Sequence, residues 1–99
     1  MKETTVKPGE NIFAVIGFDE EEAANLLLRA KLMSEITDYI ESEEMTQRAA
    51  GAFFGTPYSR INDLMKGHIE KFTIDFLVNM AAKAGKKITI HVEDLEKTV

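Results

Sequence analysis

Between Met45 and Gly67 the chain reads MTQRAAGAFFGTPYSRINDLMKG, and its apolar positions fall into two short helical runs separated by a turn. Thr46 is placed to cap the first helix with its hydroxyl. Ala49, Ala50 and Gly51 are small enough to let a second helix cross close by, and Phe53 and Phe54 supply core mass. Gly55 permits the left-handed conformation that ends a helix. Thr56 then reads as an N-cap and Pro57 as the first residue of a second helix over about 57–66. Ile61, Leu64 and Met65 recur at helical spacing toward a core, with Ala50 and Phe53 facing them. Tyr58, Ser59, Arg60, Asn62, Asp63 and Lys66 point elsewhere, and Gly67 closes the element.

The flanking segments predict three further pieces. Asn11–Phe18 is a short apolar stretch, either an extended arm or a single turn lying over the core. Asp19 can cap a helix that runs to about Ser42, and Glu22 three residues later completes a capping box. Leu28, Leu32, Ile36, Tyr39 and Ile40 form the apolar stripe of that helix, with Leu26 and Leu27 partly off it. His68–Phe72 reads as a loop, after which Thr73 caps a helix through Ile74, Phe76, Leu77, Met80 and Ala81 that Gly85 stops. Ile88–Val92 alternates strictly and predicts a strand. A lone strand cannot satisfy its backbone, so it must pair with the Asn11–Ile16 arm or with its counterpart in a second chain. Residues 1–18 thus read as a tail and arm, 19–93 as one domain, and 94–99 as a charged tail.

Ninety-nine residues with 44% apolar content suit a single domain with one modest core. The chain has no cysteine, which excludes disulfides and thiolate metal sites. No apolar run is long enough for a membrane span, and the first residues lack a signal-peptide core. The expectation is a cytoplasmic protein. The net charge of −5 is unevenly spread. Residues 1–44 carry four basic against eleven acidic side chains. Residues 45–71 carry Arg48, Arg60, Lys66 and Lys71 against Asp63 and Glu70, a local excess of +2. That local field is the one phosphates would meet. The acidic part suits a basic partner protein, while the Asp19–Glu22 run is explained by a solvated helix start.

Two helices, a short turn and a polar outer face on the second make a helix-turn-helix arrangement. On Thr46, Gln47, Ala50, Gly55, Ser59-Arg60-Ile61, Asp63-Leu64 and Lys66-Gly67, the segment resembles the Xre/Cro family of lambda-repressor-like DNA-binding domains. Asn11–Ala14, Gly17-Phe18, Phe72–Asp75, Leu77 and Gly85 extend the resemblance to a subgroup of short regulators that includes HigA-like antitoxins. The likeness spans roughly residues 10–93. It implies a mainly α fold, a lambda-repressor-like bundle of about five helices with a short C-terminal β-strand. It implies a homodimeric regulator that binds double-stranded operator DNA and represses its own operon. The alternative it implies is an antitoxin that neutralises a basic toxin, with or without DNA binding. Pro57-Tyr58 stand where the subgroup often has a Ser-Gln-like pair, so no operator sequence follows.

Within that frame the expected DNA contacts are Thr46, Gln47, Arg48, Tyr58, Ser59, Arg60, Asn62, Asp63, Lys66 and Lys71. Gln47 resembles the family's phosphate-gripping glutamine at a helix start. Arg60 can hold a guanine edge or a phosphate, and Asn62 suits adenine. Tyr58 can press on a thymine methyl or give its hydroxyl to a phosphate. Asp63, repelled by phosphates, is expected to orient Arg60. Lys66 and Lys71 are phosphate anchors. His68 and His91 stand in no metal-binding spacing, and neither metal nor cofactor is expected. No nucleophile elbow, phosphate-binding loop or dinucleotide fingerprint occurs, so no enzyme is expected.

Overall fold

The computed structural model describes residues 9–94, so the first part of the expected 1–18 tail and arm and nearly all of the expected 94–99 tail lie outside the described residues. Five α-helices follow in order: α1 Ile12–Val15, α2 Glu20–Ser42, α3 Gln47–Phe54, α4 Tyr58–Met65 and α5 Ile74–Lys83. A single 3-10 turn, Ile69–Lys71, occupies the expected loop between α4 and α5.

Caps fix most of these boundaries. Asp19 Oδ1 accepts from the Glu22 amide at 2.8 Å, with Glu20, Glu21 and Glu22 in the first turn, where carboxylates favour the positive helix end. Thr73 Oγ1 accepts from the Phe76 amide at 3.2 Å and opens α5. Of the two forms open to Asn11–Phe18, the chain takes the helical one. Asn11 Oδ1 caps α1 at the Phe13 amide, while its Nδ2 donates to the Ala23 carbonyl at 2.8 Å and pins α1 onto α2. At the far end of α2, Glu44 takes φ 52° and the Met45 amide closes back on the Ile40 carbonyl.

Ile36, Ile40, Ala50, Ile61, Leu64 and Leu77 form the centre of the core, so α2, α3, α4 and α5 share one apolar interior. The stripe on α2 differs from the expected one. Leu26 is buried and Leu28 is 42% exposed. Successive steps of four advance 40° further round the helix than one turn, so counting back 36, 32, 28 walks off the buried face. The face that stays inward runs 26, 29, 33, 36, 40, and Arg29 occupies its second place. Phe53 is half-buried rather than central. It packs edge-on to Phe54 at 4.9 Å between ring centroids and lies 5.8 Å from Tyr39, a side cluster at the ends of α2 and α3.

The predicted strand is the main correction. No β-strand forms among the described residues, and 88–92 has no regular structure. Alternation alone cannot make a strand without a ladder to join. The Asn11–Ile16 arm, the expected partner within the chain, is wound into α1. Ile88 still packs on the core, whereas Ile90 and Val92 are 77% and 84% exposed.

Candidate nucleic-acid interface

The α3–α4 unit is set by its turn. Thr46 Oγ1 accepts from the Ala49 amide at 3.0 Å and starts α3. Gly55 takes φ 70°, ψ 37°, and the Thr56 amide donates to the Gly51 carbonyl at 2.9 Å. This six-to-one closure finishes α3 at Thr56. Pro57, at φ −56° and ψ 143°, holds the capping position itself, and no side chain caps α4. The expected Thr56 cap with Pro57 as first helical residue is therefore corrected by one place.

Gly51 makes the turn possible. A Cβ there would sit 2.8 Å from the Thr56 carbonyl oxygen and 3.3 Å from the Tyr58 nitrogen. The backbone of the turn thus lies directly against α3, and buried Ala50 sits beside the contact. Ile61 and Leu64 bury the inner face of α4 with Met65 packed beside them, which leaves Tyr58, Ser59 and Asn62 on its outer side.

On that outer side two groups of residues form. In the first, Gln47 Nε2 donates to Asn62 Oδ1 at 3.2 Å, and the Arg48 guanidinium carbon lies 4.9 Å from the Tyr58 ring centroid. The start of α3 and the outer face of α4 are thereby one surface, carrying four of the expected contact residues. Ser59 and Lys66 are exposed on α4 and its C-cap.

The second group is arranged differently from expectation. Arg60 is half-buried over two rings, its guanidinium carbon 4.8 Å from the Phe72 centroid and 5.0 Å from that of Phe76. Asp63 does not orient it. Asp63 Oδ1 accepts from Lys71 Nζ at 3.3 Å and lies 3.3 Å from His68 Nδ1. Partial removal from water raises the Asp63 pKa, but the Lys71 hydrogen bond and charge, followed by those of His68, outweigh it. The carboxyl is held below the usual carboxylate range. Lys71 is correspondingly less free to anchor a phosphate than Lys66.

The chain matches the family model of a helix-turn-helix domain over residues 14–93. It belongs to that family. No curated protein matches it. The helix-turn-helix family supports double-stranded DNA as the partner. No helix among the described residues is long and apolar enough to cross a membrane.

One residue that sequence reasoning missed supports this helix-turn-helix. Arg29, on the buried line of α2, donates from Nη1 to the carbonyls of Ile69 at 2.9 Å and Phe72 at 3.3 Å. Its Nε is held by Asn25 Oδ1 at 2.7 Å. Arg29 thus fixes the 3-10 turn that carries Phe72 beneath Arg60 and Lys71 beside Asp63. The signal for it was a cation in register with Leu26, Met33, Ile36 and Ile40.

Proposed function

We propose that this chain is a homodimeric, sequence-specific DNA-binding repressor of its own operon, of the Xre/Cro type. The observation that carries the reading is the single polar surface made by the α3 start and the outer face of α4. In this reading Thr46, Gln47 and Arg48 grip the phosphate backbone and set orientation. Tyr58, Ser59 and Asn62 enter the major groove at the beginning of the recognition helix. Arg60 reaches the groove edge from its aromatic platform, Lys66 and Lys71 neutralise phosphates, and Asp63 acts through Lys71 rather than on a base. Two copies would place their recognition helices about one helical turn apart and block polymerase sterically.

The test is a titration on the chain's own upstream DNA against scrambled DNA at two salt concentrations. Selective binding that weakens with salt, and is lost on alanine substitution of Tyr58, Ser59 and Asn62 in a folded dimer, is the expected result. Unchanged affinity in that variant would refute the assignment of the reading helix.

A second reading rests on the charge of α2. Glu20, Glu21, Glu22, Glu35, Asp38 and Glu41 are all exposed along it. That acidic surface suits a basic protein partner, as in a HigA-like antitoxin. Co-purification with the product of a neighbouring basic reading frame would favour it.

A further inference from the structure

In the segment Lys86–Asp94 a clear strand pattern in the sequence goes unmet by the structure. Ile88-Thr89-Ile90-His91-Val92 alternates apolar and polar residues and is rich in strand formers, yet it has no strand partner among the described residues. Ile90 and Val92 stand 77% and 84% exposed. Beside them α2 leaves Leu28 exposed, and a groove of about 610 Å³ runs between Leu27, Leu28, Lys31 and residues 89–92. Unpaired backbone next to uncovered apolar surface is a template for another strand.

The charges that flank the segment identify that strand. Lys86-Lys87 precede it and Glu93-Asp94 follow it. Laid antiparallel on its own copy about Ile90, the segment sets Lys87 opposite Glu93, Lys86 opposite Asp94, Ile88 opposite Val92 and Thr89 opposite His91. Every charged position then meets its opposite sign, and cross-strand pairs of that kind stabilise a sheet. A parallel, in-register pairing would put lysine on lysine and acid on acid. Ile88, Ile90 and Val92 of both copies would share one face of the ribbon. The contacts these charges make within one chain, Lys86 to Glu35 at 4.0 Å and His91 to Glu93 at 3.4 Å, are exposed and weak competitors.

We propose that residues 88–92 form an antiparallel two-stranded ribbon with a second copy of this chain, centred on Ile90 and closed over the Leu27–Leu28 surface of α2. A two-stranded ribbon is marginal alone, so that helix surface belongs to the interface. The inference rests on the homodimer reading above and gives it an address remote in sequence from α4.

The absence of cysteine allows a direct test on the full chain. Directly opposed residues in antiparallel strands have Cα atoms about 4.5–5.5 Å apart, within disulfide reach. Ile90→Cys alone is therefore expected to give a covalent dimer under oxidised glutathione. Ile88→Cys alone and Val92→Cys alone are not, because residue 88 lies roughly 13 Å along the ribbon from its own copy. An equal mixture of the Ile88→Cys and Val92→Cys chains is expected to cross-link. Efficient linking of Ile88→Cys to itself would overturn the antiparallel register. No linking of Ile90→Cys, with the native chain weighing as a dimer by light scattering, would overturn this interface and leave the homodimer reading standing. A native chain that stays monomeric at DNA-binding concentrations would overturn both.

Discussion

The guanidinium of Arg60 lies across the rings of Phe72 and Phe76, 4.8 Å and 5.0 Å from their centroids. Phe72 is itself 2% exposed and belongs to the core. The one arginine of α4 is therefore pre-positioned by the segment after it, and that segment is tied to α2 by Arg29. A side chain already ordered before binding loses less conformational freedom when it meets DNA.

Arg60→Met keeps a stem able to lie on both rings and removes the charge. The expected stability loss is about 1 kcal/mol, the scale of a partly exposed cation–π contact. Operator affinity is expected to fall about tenfold or more, in the range of a lost base contact. Urea denaturation and a binding titration separate the two effects. Undiminished affinity with reduced stability would make Arg60 purely structural.

Gly51→Ala tests the turn. Alanine is the better helix former by about 1 kcal/mol, so propensity alone predicts stabilisation. The new methyl would meet the Thr56 carbonyl at 2.8 Å, and that neighbour is backbone rather than a movable side-chain tip. Overpacking of this kind costs about 1–3 kcal/mol, and net destabilisation is expected. A variant with an unchanged urea midpoint would show that α3 and the turn part easily.

These two sites also show how far the sequence could be read. Small residues before Gly55 marked a close crossing, and capping hydroxyls at Thr46 and Thr73 marked helix starts, because both depend on local chemistry. Arg29, the Phe72–Phe76 platform and the Asp63–His68–Lys71 cluster join residues distant in sequence or separated by a turn, and no local pattern encodes those meetings. Asp63 was paired with Arg60 in expectation because phosphates would repel its carboxylate. The chain instead bends at Gly67 and brings His68 and Lys71 back to it. The segment 88–92 shows the converse, a clear local preference that the single chain does not satisfy.

The Asp63 cluster predicts a dependence on pH with a definite sign. A carboxylate whose pKa is lower in the folded than in the unfolded chain contributes stability above its unfolded value, and loses it as pH falls through the folded value. The stability difference between the native chain and Asp63→Asn should therefore shrink as pH falls below about pH 4, the ordinary carboxylate range. Denaturant melts of both proteins across that interval measure it. A difference that stays constant down to about pH 3 would mean that Lys71 and His68 do not hold the charge in solution.

The last prediction separates cations that are free from those already engaged. Among the described residues Lys66 has no side-chain partner, whereas Lys71 is spent partly on Asp63. Each phosphate neutralised on double-stranded DNA adds about 0.9 to the slope of log affinity against log salt. In a homodimer, Lys66→Ala removes two such contacts and is expected to flatten the slope by about two. Lys71→Ala is expected to flatten it less, since Asp63 already offsets part of that lysine's charge at 3.3 Å. Binding titrations over a salt series give both slopes. Equal effects from the two lysines would mean that Asp63 releases Lys71 on binding, and an unchanged slope for Lys66→Ala would take the C-terminal end of α4 off the DNA.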